Sequence, residues 1–252
     1  MRENNLISVI TVCYNAKETI KRTIQSVINQ TFKKYEYIII DGNSSDGTLG
    51  IINTFLANHK ITVVSEPDQG IYDAMNKALA LAKGEYVLFL NAGDELARTS
   101  TLDEIFLIRT KPDLIYGETI IIDSQRKELG TRTELTSRKL PLRLLKKDFL
   151  NGQVVSHQSF VPKRKLTSNY DLKYQCSADI EWMLNVMDKA KTVHLTEKPI
   201  SIYLKGGISD TQLRICWKER FMILMNHFNP IVVLWQHLIF IIRFLKIGAY
   251  RT

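Results

Sequence analysis

Cysteine is scarce in this chain of 252 residues, with only Cys13, Cys176 and Cys216. Odd in number and far apart, they offer no disulfide framework and no Cys-x-x-Cys metal spacing, and they suit a reducing compartment. No G-x-G-x-x-G follows the first apolar run and no G-x-x-x-x-G-K-[ST] occurs, which excludes a dinucleotide fingerprint and a phosphate loop. No G-X-Y, heptad or solenoid period runs through the sequence, excluding collagen, coiled-coil and repeat architectures. The N-terminus, MRENNLISVITVCYN, has no long apolar core before a small-residue cleavage site, so no signal peptide is expected and the chain is read as cytoplasmic.

What is present fits a folded protein with a full core: 45% hydrophobic and 24% charged residues. The net charge of +8 is uneven. Residues 1–125 hold 12 Lys and Arg against 16 Asp and Glu, whereas residues 126–252 hold 22 against 10. A basic half can meet nucleic acid, an anionic membrane surface or a phosphorylated substrate. The basic residues are scattered without an aromatic platform, so no nucleic-acid partner is expected.

Strand and helix signals alternate through the first hundred residues. LISVITVCY (6–14), YEYIII (35–40), ITVVS (61–65) and EYVLFL (85–90) read as strands of a mainly parallel sheet. Between them fall three helices. The first is opened by an Asn15-x-x-Glu18 capping pattern and carries Ile20, Ile24, Val27 and Ile28. The second follows SSDGT (44–48), with Leu49, Ile52 and Leu56 inward. The third spans 70–83, with Ile71, Met75, Ala78 and Ala82 inward and Gly84 at its C′ position. Beyond residue 100 the pattern loosens to a hairpin start (113–123), a short helix (141–150), a strand (157–163), a helix (178–190) and a β-like stretch (192–204) broken by Gly206-Gly207. No linker separates the halves, so one composite unit is expected.

In an open α/β sheet, ligands bind outside the carboxyl ends of the strands. Four polar clusters fall at such ends: Tyr14-Asn15, Asp41-Gly42-Asn43, Glu66-Pro67-Asp68 and Asn91-Ala92-Gly93-Asp94. Carboxylates near a diphosphate repel it unless a divalent cation stands between them, and Mg²⁺ or Mn²⁺ suits that place. The rim therefore points to a metal-bridged nucleoside diphosphate.

Ile10-Thr11-Val12-Cys13-Tyr14-Asn15, DGNSSDGT (41–48), EPDQGIYDAMNKA (66–78) and FLNAGDEL (89–96) resemble the inverting family 2 glycosyltransferases. The nearer likeness is to bacterial enzymes of capsule, colanic acid, exopolysaccharide and O-antigen assembly. The resemblance covers residues 6 to about 98 and is looser at His157-Gln158, Ala178-Asp179-Ile180-Glu181 and Gly206-Gly207-Ile208-Ser209. It implies a GT-A fold, which is a Rossmann-like three-layer α/β sandwich, together with a nucleoside-diphosphate sugar donor (UDP or GDP type) and Mg²⁺ or Mn²⁺. It also implies a division into a nucleotide-sugar-binding half (1–98), an acceptor-binding half (99–227) and a C-terminal tail (228–252).

Carried over, Asp41 matches the carboxylate that accepts from the nucleobase imide, and Thr11 and Tyr14 match residues lining the base and ribose pocket. Asp73, Asn76 and Lys77 share one helical face that the resemblance sets beside the diphosphate, with a solvated Asp73–Lys77 pair as the alternative. The metal motif departs from the usual Asp-x-Asp-Asp: Asn91-Ala92-Gly93-Asp94 keeps Asp94 as the anionic ligand and Asn91 as an amide-oxygen ligand or ribose contact. Asp179 matches the general base of an inverting transfer, against a plain helix-capping role. Glu181 either holds the acceptor or is solvated, and His157 lines the acceptor side or assists the leaving group, with a structural role as the alternative. Ser209 and Arg214 belong to a segment resembling the mobile loop that closes over the donor.

Residues 231–250, IVVLWQHLIFIIRFLKIGAY, contain four polar positions, too many for a simple span. An interfacial helix is expected, with Trp235 and Phe240 near headgroups and Arg243 and Lys246 toward anionic lipid on the inner face of the plasma membrane; a dimerisation or core-capping helix is the alternative. A lipid-linked glycan acceptor would make that contact useful. Rival readings are an inactive nucleotide-sugar-binding homologue, suggested by the missing aspartates, and a nucleotidyltransferase, which would want a Gly-rich basic loop where TVCYNAKET stands.

Overall fold

The computed structural model describes residues 6–108, 110–136, 138–206 and 213–248, with the side chains of residues 213 and 240–248 outside the description. Four apolar runs form β1 (Ile7–Cys13), β2 (Tyr35–Asp41), β3 (Ile61–Ser65) and β4 (Tyr86–Phe89). They pair in parallel in the order β3-β2-β1-β4. All their carboxyl ends therefore lie on one rim. Every residue of β1 is buried, as a run without polar alternation requires of a central strand.

Period-two alternation divides the strand side chains between two cores. Ile10, Val12, Ile38, Ile40 and Phe89 pack against α3 (Ile71–Leu81) and α6 (Ala178–Lys189). Val9, Tyr37, Ile39 and Leu88 pack against α1 (Ile20–Ile28), α2 (Thr48–Leu56) and α4 (Thr101–Phe106). The product is a three-layer α/β sandwich with a mainly parallel central sheet. Each fully buried isoleucine among them contributes about 1.5–3 kcal/mol.

The second half adds two small sheets. One is β10 (Val193–Leu195), β6 (Leu114–Tyr116) and β9 (Phe160–Pro162). The other is β5 (Glu95–Leu96), β11 (Ser201–Leu204), β7 (Thr119–Ile122) and β8 (Glu128–Thr131). The stretch 192–204 is thus two strands in different sheets, parted before residue 201 by Pro199, which has no N–H to donate to a ladder. Only Phe160–Pro162 of the strand expected at 157–163 is extended; His157–Ser159 is a 3₁₀ turn. The helix expected at 141–150 is a 3₁₀ segment, Lys146–Asn151.

Other local expectations are corrected as well. Helix α1 begins after Thr19 with no side-chain cap, because Asn15 (φ 48°) turns away to accept from the Ser45 N–H at 3.0 Å. In α2 it is Ile52 that is buried, while Leu56 is exposed. Helix α3 ends at an extended Ala82, and Gly84 serves a close approach instead: a Cβ there would stand 2.4 Å from the Ser8 backbone nitrogen.

Two helices close the chain, α7 (Leu213–His227), which periodicity did not announce, and α8 (Pro230–Gly248). Cys176 and Cys216 are joined as a disulfide across 40 residues, contrary to the expectation of unpaired thiols, and the bond ties α7 to the turn before α6. The start of α8 packs inward through Val233 and leaves Ile231, Leu234, Trp235 and Leu238 exposed. Phe240, Arg243 and Lys246 fall outside the described side chains. No described helix is long and apolar enough to cross a membrane.

Candidate active site

The ends of β1 and β4 and the loop after β3 open on a cavity of about 740 Å³, roofed by the 153–158 segment and the end of β11. One wall is the turn Asn91–Asp94. It continues the β4 ladder through Leu90 N–H to Ile10 O and Ala92 N–H to Val12 O, and it closes with Asp94 N–H to Asn91 O at 2.9 Å. Gly93, at φ 106°, supplies the left-handed position that a side chain would resist.

Asp94 is only 4% exposed, and its carboxylate accepts from Gln158 Nε2 at 2.8 Å and from the Leu204 N–H. Burial pushes its pKa up to about 7. Asn91 also lines the cavity, and its Oδ1 is buried without a hydrogen-bond partner. An orphaned acceptor of that kind costs about 1–3 kcal/mol unless something supplies a positive charge or a donor. One carboxylate and one amide oxygen are hard ligands of the sort Mg²⁺ and Mn²⁺ accept when phosphate and water complete the shell. No group of three or more His, Cys, Asp or Glu side chains that could hold a metal stands among the described residues. The residues thus fit a cation shared with a phosphorylated ligand rather than a structural metal.

Asp179 also lines the cavity, from the first turn of α6. Its Oδ1 accepts from the Tyr72 hydroxyl of α3 at 3.3 Å, and its Oδ2 accepts from Gln153 Nε2 at 3.5 Å. Burial raises its pKa, while the Arg220 guanidinium on α7 and the Ile180 N–H pull it back down. The α7 helix is held in place by the disulfide, by Glu219 accepting from the Gln175 and Cys176 N–H groups at 2.6 and 3.0 Å, and by Ser177 Oγ donating to Cys216 O at 3.3 Å. A partly buried carboxylate with its orientation fixed and its proton affinity raised is suited to general-base work.

Tyr14, Asn91, Asp94, His157 and Asp179 are brought together around this cavity; the other expected residues among those described are not in its lining. Thr11 faces the α1 layer, donating to Leu90 O at 2.8 Å beside the Tyr37 hydroxyl. Asp41 is fully buried, and its oxygens are taken by Ser44 N–H (3.1 Å), Ser44 Oγ (2.5 Å) and Ser65 Oγ (2.7 Å). Asp68 stands at the opening instead, against Gly42 and near Tyr14.

Asp73 and Lys77 form the ion pair that was the alternative reading, at 3.5 Å, with Lys77 also on Glu66 at 3.0 Å. Asn76 clamps the Tyr170 backbone, donating to its carbonyl at 2.9 Å and accepting from its N–H at 2.7 Å. Glu181 is turned from the cavity toward Lys173 at 4.0 Å, and Arg214 is exposed on α7 outside the lining. Ser209 lies outside the described residues.

His157 lines the cavity, but its ring is stacked on Phe89 at 5.2 Å and set edge-on to Trp182, with Nε2 against the Tyr170 hydroxyl at 2.8 Å. Burial drives its pKa down to about 3, so it is neutral at physiological pH.

Sequence reading missed Arg132, Gln153 and Arg220, and left Gln158 without a role. A usable signal preceded Arg132: Thr131-x-x-Glu134 is a capping box, realised with Thr131 N–H to Glu134 Oε2 at 2.7 Å, and it opens α5 (Arg132–Leu135) at that residue.

The family model described as Glycosyl transferase family 2 matches residues 8–170. A PGL/p-HBAD biosynthesis glycosyltransferase of Mycobacterium bovis is 32% identical over 82% of this chain and 80% of its own length. The Escherichia coli UDP-Glc:alpha-D-GlcNAc-diphosphoundecaprenol beta-1,3-glucosyltransferase WfaP is 37% identical over 42% of each chain. Among solved structures, S. aureus TarS 1-349 in complex with UDP superposes with a TM-score of 0.67 at 16% identity, covering 90% of this chain and 68% of that one. The mannosyltransferase PcManGT from Pyrobaculum calidifontis, solved with GDP-Man and Mn2+, superposes with a TM-score of 0.68 at 17% identity, covering 92% and 68%.

Proposed function

The chain belongs to glycosyl transferase family 2, and from that membership we propose that it moves a sugar from a nucleoside-diphosphate sugar to a growing lipid-linked glycan with inversion at the anomeric carbon. One observation carries this reading: Asn91, Asp94 and Asp179 line a single cavity, Asp94 held by Gln158 and Asp179 by Gln153 of the same roof segment. An inverting displacement needs the leaving diphosphate on one side of the carbon and the attacking hydroxyl on the other, a task that suits two separately held carboxylates in one cavity.

In this reading Tyr14 and Asp68 bound the nucleobase end, and residues 1–98 supply the donor side. Asp94 and Asn91 are the residues that would hold Mg²⁺ or Mn²⁺; such a cation, when bound, neutralises diphosphate charge and stabilises the departing phosphate. Lys205, on the same lining, adds a positive charge for the diphosphate. Asp179 accepts the proton of the acceptor hydroxyl at Oδ2 or Oδ1, with Tyr72 and Gln153 fixing its orientation. Residues 99–227 supply the acceptor side.

The lipid-linked acceptor is supported by the name of the WfaP relative, and a divalent cation by the Mn2+ complex of the mannosyltransferase. The exposed apolar side of α8 suits an anionic membrane surface. Loss of co-sedimentation with phosphatidylglycerol vesicles in Trp235→Ser checks that part.

The test of the reaction is Asp179→Asn. Transfer should fall by at least about 1,000-fold, while the thermal shift produced by UDP or GDP with Mn²⁺ stays as in the parent chain. If the nucleotide shift disappears with transfer, Asp179 is not the base.

A further inference from the structure

Three guanidinium groups stand within electrostatic range of one another near Asp179, and Arg132 among them lines the cavity. Arg132 is tied to the roof segment, donating through Nη1 to Val154 O at 2.9 Å and through Nη2 to Gln153 O. Arg138 lies under the same segment: a Cβ on Gly152 would stand 2.6 Å from its Cζ. Arg220 completes the group from α7, within electrostatic range of both other arginines and of Asp179, and its Nε is buried without a partner.

None of the three makes a salt bridge among the described residues. The carboxylates that face them are Asp179 and Glu118, two against three. Burying like charges together is unfavourable, and each guanidinium here is held below its ordinary proton affinity by burial. Arg132 uses two of its five N–H donors on backbone carbonyls and keeps the rest. An unneutralised, partly dehydrated arginine cluster beside a cavity is a setting for a phosphate, which accepts forked guanidinium bonds.

Given the transferase reading above, on which this rests, we propose that Arg132, Arg138 and Arg220 bind a phosphate of the acceptor, so that the acceptor is a sugar carried directly on a phosphate or diphosphate. The position follows from the displacement geometry. The donor's diphosphate leaves toward Asn91 and Asp94, so charge recognised beside Asp179 belongs to the molecule whose hydroxyl Asp179 deprotonates. A phosphate held next to the base places the reacting hydroxyl on the first sugar after that phosphate. Such an acceptor is the product of a reaction that joins a sugar phosphate to a lipid phosphate, and an enzyme of that class must act first.

The experiment titrates the full chain, already saturated with UDP or GDP and Mn²⁺, with farnesyl diphosphate by calorimetry. Binding should persist with the nucleotide in place, and Arg138→Gln should weaken it by about tenfold or more. Arg138→Lys should recover part of the loss, and nucleotide affinity should stay unchanged in both variants. Arg138 is chosen because Arg132 also braces the backbone; equal melting temperatures of the variants certify the fold.

Mutual exclusion of farnesyl diphosphate and the nucleotide would overturn the proposal, since the arginines would then be serving the donor. So would unchanged farnesyl diphosphate binding in Arg138→Gln with lost co-sedimentation on phosphatidylglycerol vesicles, which would assign them to a lipid headgroup. If no nucleotide binds the parent chain, the transferase reading itself fails, and farnesyl diphosphate binding by the chain alone still reads the arginine site.

Discussion

Asparagine at position 94 should make this protein more stable in alkaline solution while disabling it. The Asp94 carboxyl is raised from 3.8 to about 7 because ionisation in its buried niche is unfavourable, even with Gln158 and the Leu204 N–H donating to it. For a group whose pKa is higher in the folded state, the stabilisation is complete below the unfolded value. It is lost as pH rises through the folded value, here between about pH 4 and about pH 7. At 1.36 kcal/mol per pKa unit, the loss is about 2 kcal/mol by pH 5 and about 4 kcal/mol by pH 8. Asp94→Asn removes that dependence. It also turns an amide N–H toward the Leu204 N–H, a penalty that does not vary with pH and so cancels in a comparison. The melting temperature of the variant minus that of the parent should therefore grow between pH 5 and pH 8 by the equivalent of about 2–3 kcal/mol. In a chain of this size that is roughly 5–10 °C. The measurement is a pair of thermal melts in EDTA at each pH, with transfer assayed in parallel and expected to fall at least about 100-fold. A difference that stays constant or shrinks from pH 5 to pH 8 refutes the burial account of Asp94.

Two glycines should respond oppositely to alanine. Gly84→Ala pushes a methyl into the Ser8 backbone and should cost about 1–3 kcal/mol, whereas Gly50→Ala in α2, with nothing within 4 Å of the added carbon, should stabilise by about 0.5–1 kcal/mol; denaturant midpoints separate the two. His157, held neutral to about pH 3 by burial, should show no titration of its ring protons by NMR between pH 5 and pH 8. Closing a loop across 40 residues, the Cys176–Cys216 bond should contribute about 4 kcal/mol. Dithiothreitol should thus lower the melting temperature of the oxidised chain but leave that of Cys176→Ser/Cys216→Ser unchanged.

The central sheet was legible because β1, β2 and β4 are buried on both faces and so leave unbroken apolar runs. The small sheets were not. Strands of two to four residues, such as β5, β10 and β11, carry too few positions to show a period, and their partners lie far along the chain. Helix α7 was hidden because its contacts are divided between the α6 layer and α8, leaving no single apolar stripe.

At the site, the polar rim located the cavity, yet which rim residues face it depends on strand parity. Thr11 shares its strand parity with Val9, and Asp41 shares its parity with Tyr37 and Ile39, so both belong to the α1 side. Which of the basic residues of the second half converge on Asp179 was not available, because they come from α5, the following loop and α7.

The roof of the cavity also acts as a ruler. Gln153 holds the base at one end and Gln158 holds Asp94 at the other, so five peptide steps join the two halves of the chemistry. Even fully extended, that many steps reach no more than roughly 18 Å, and the 3₁₀ turn at His157–Ser159 shortens the reach further. Here a single inserted residue would change the separation of leaving group and nucleophile, which ties the length of this segment to the size of the sugar that fits between them.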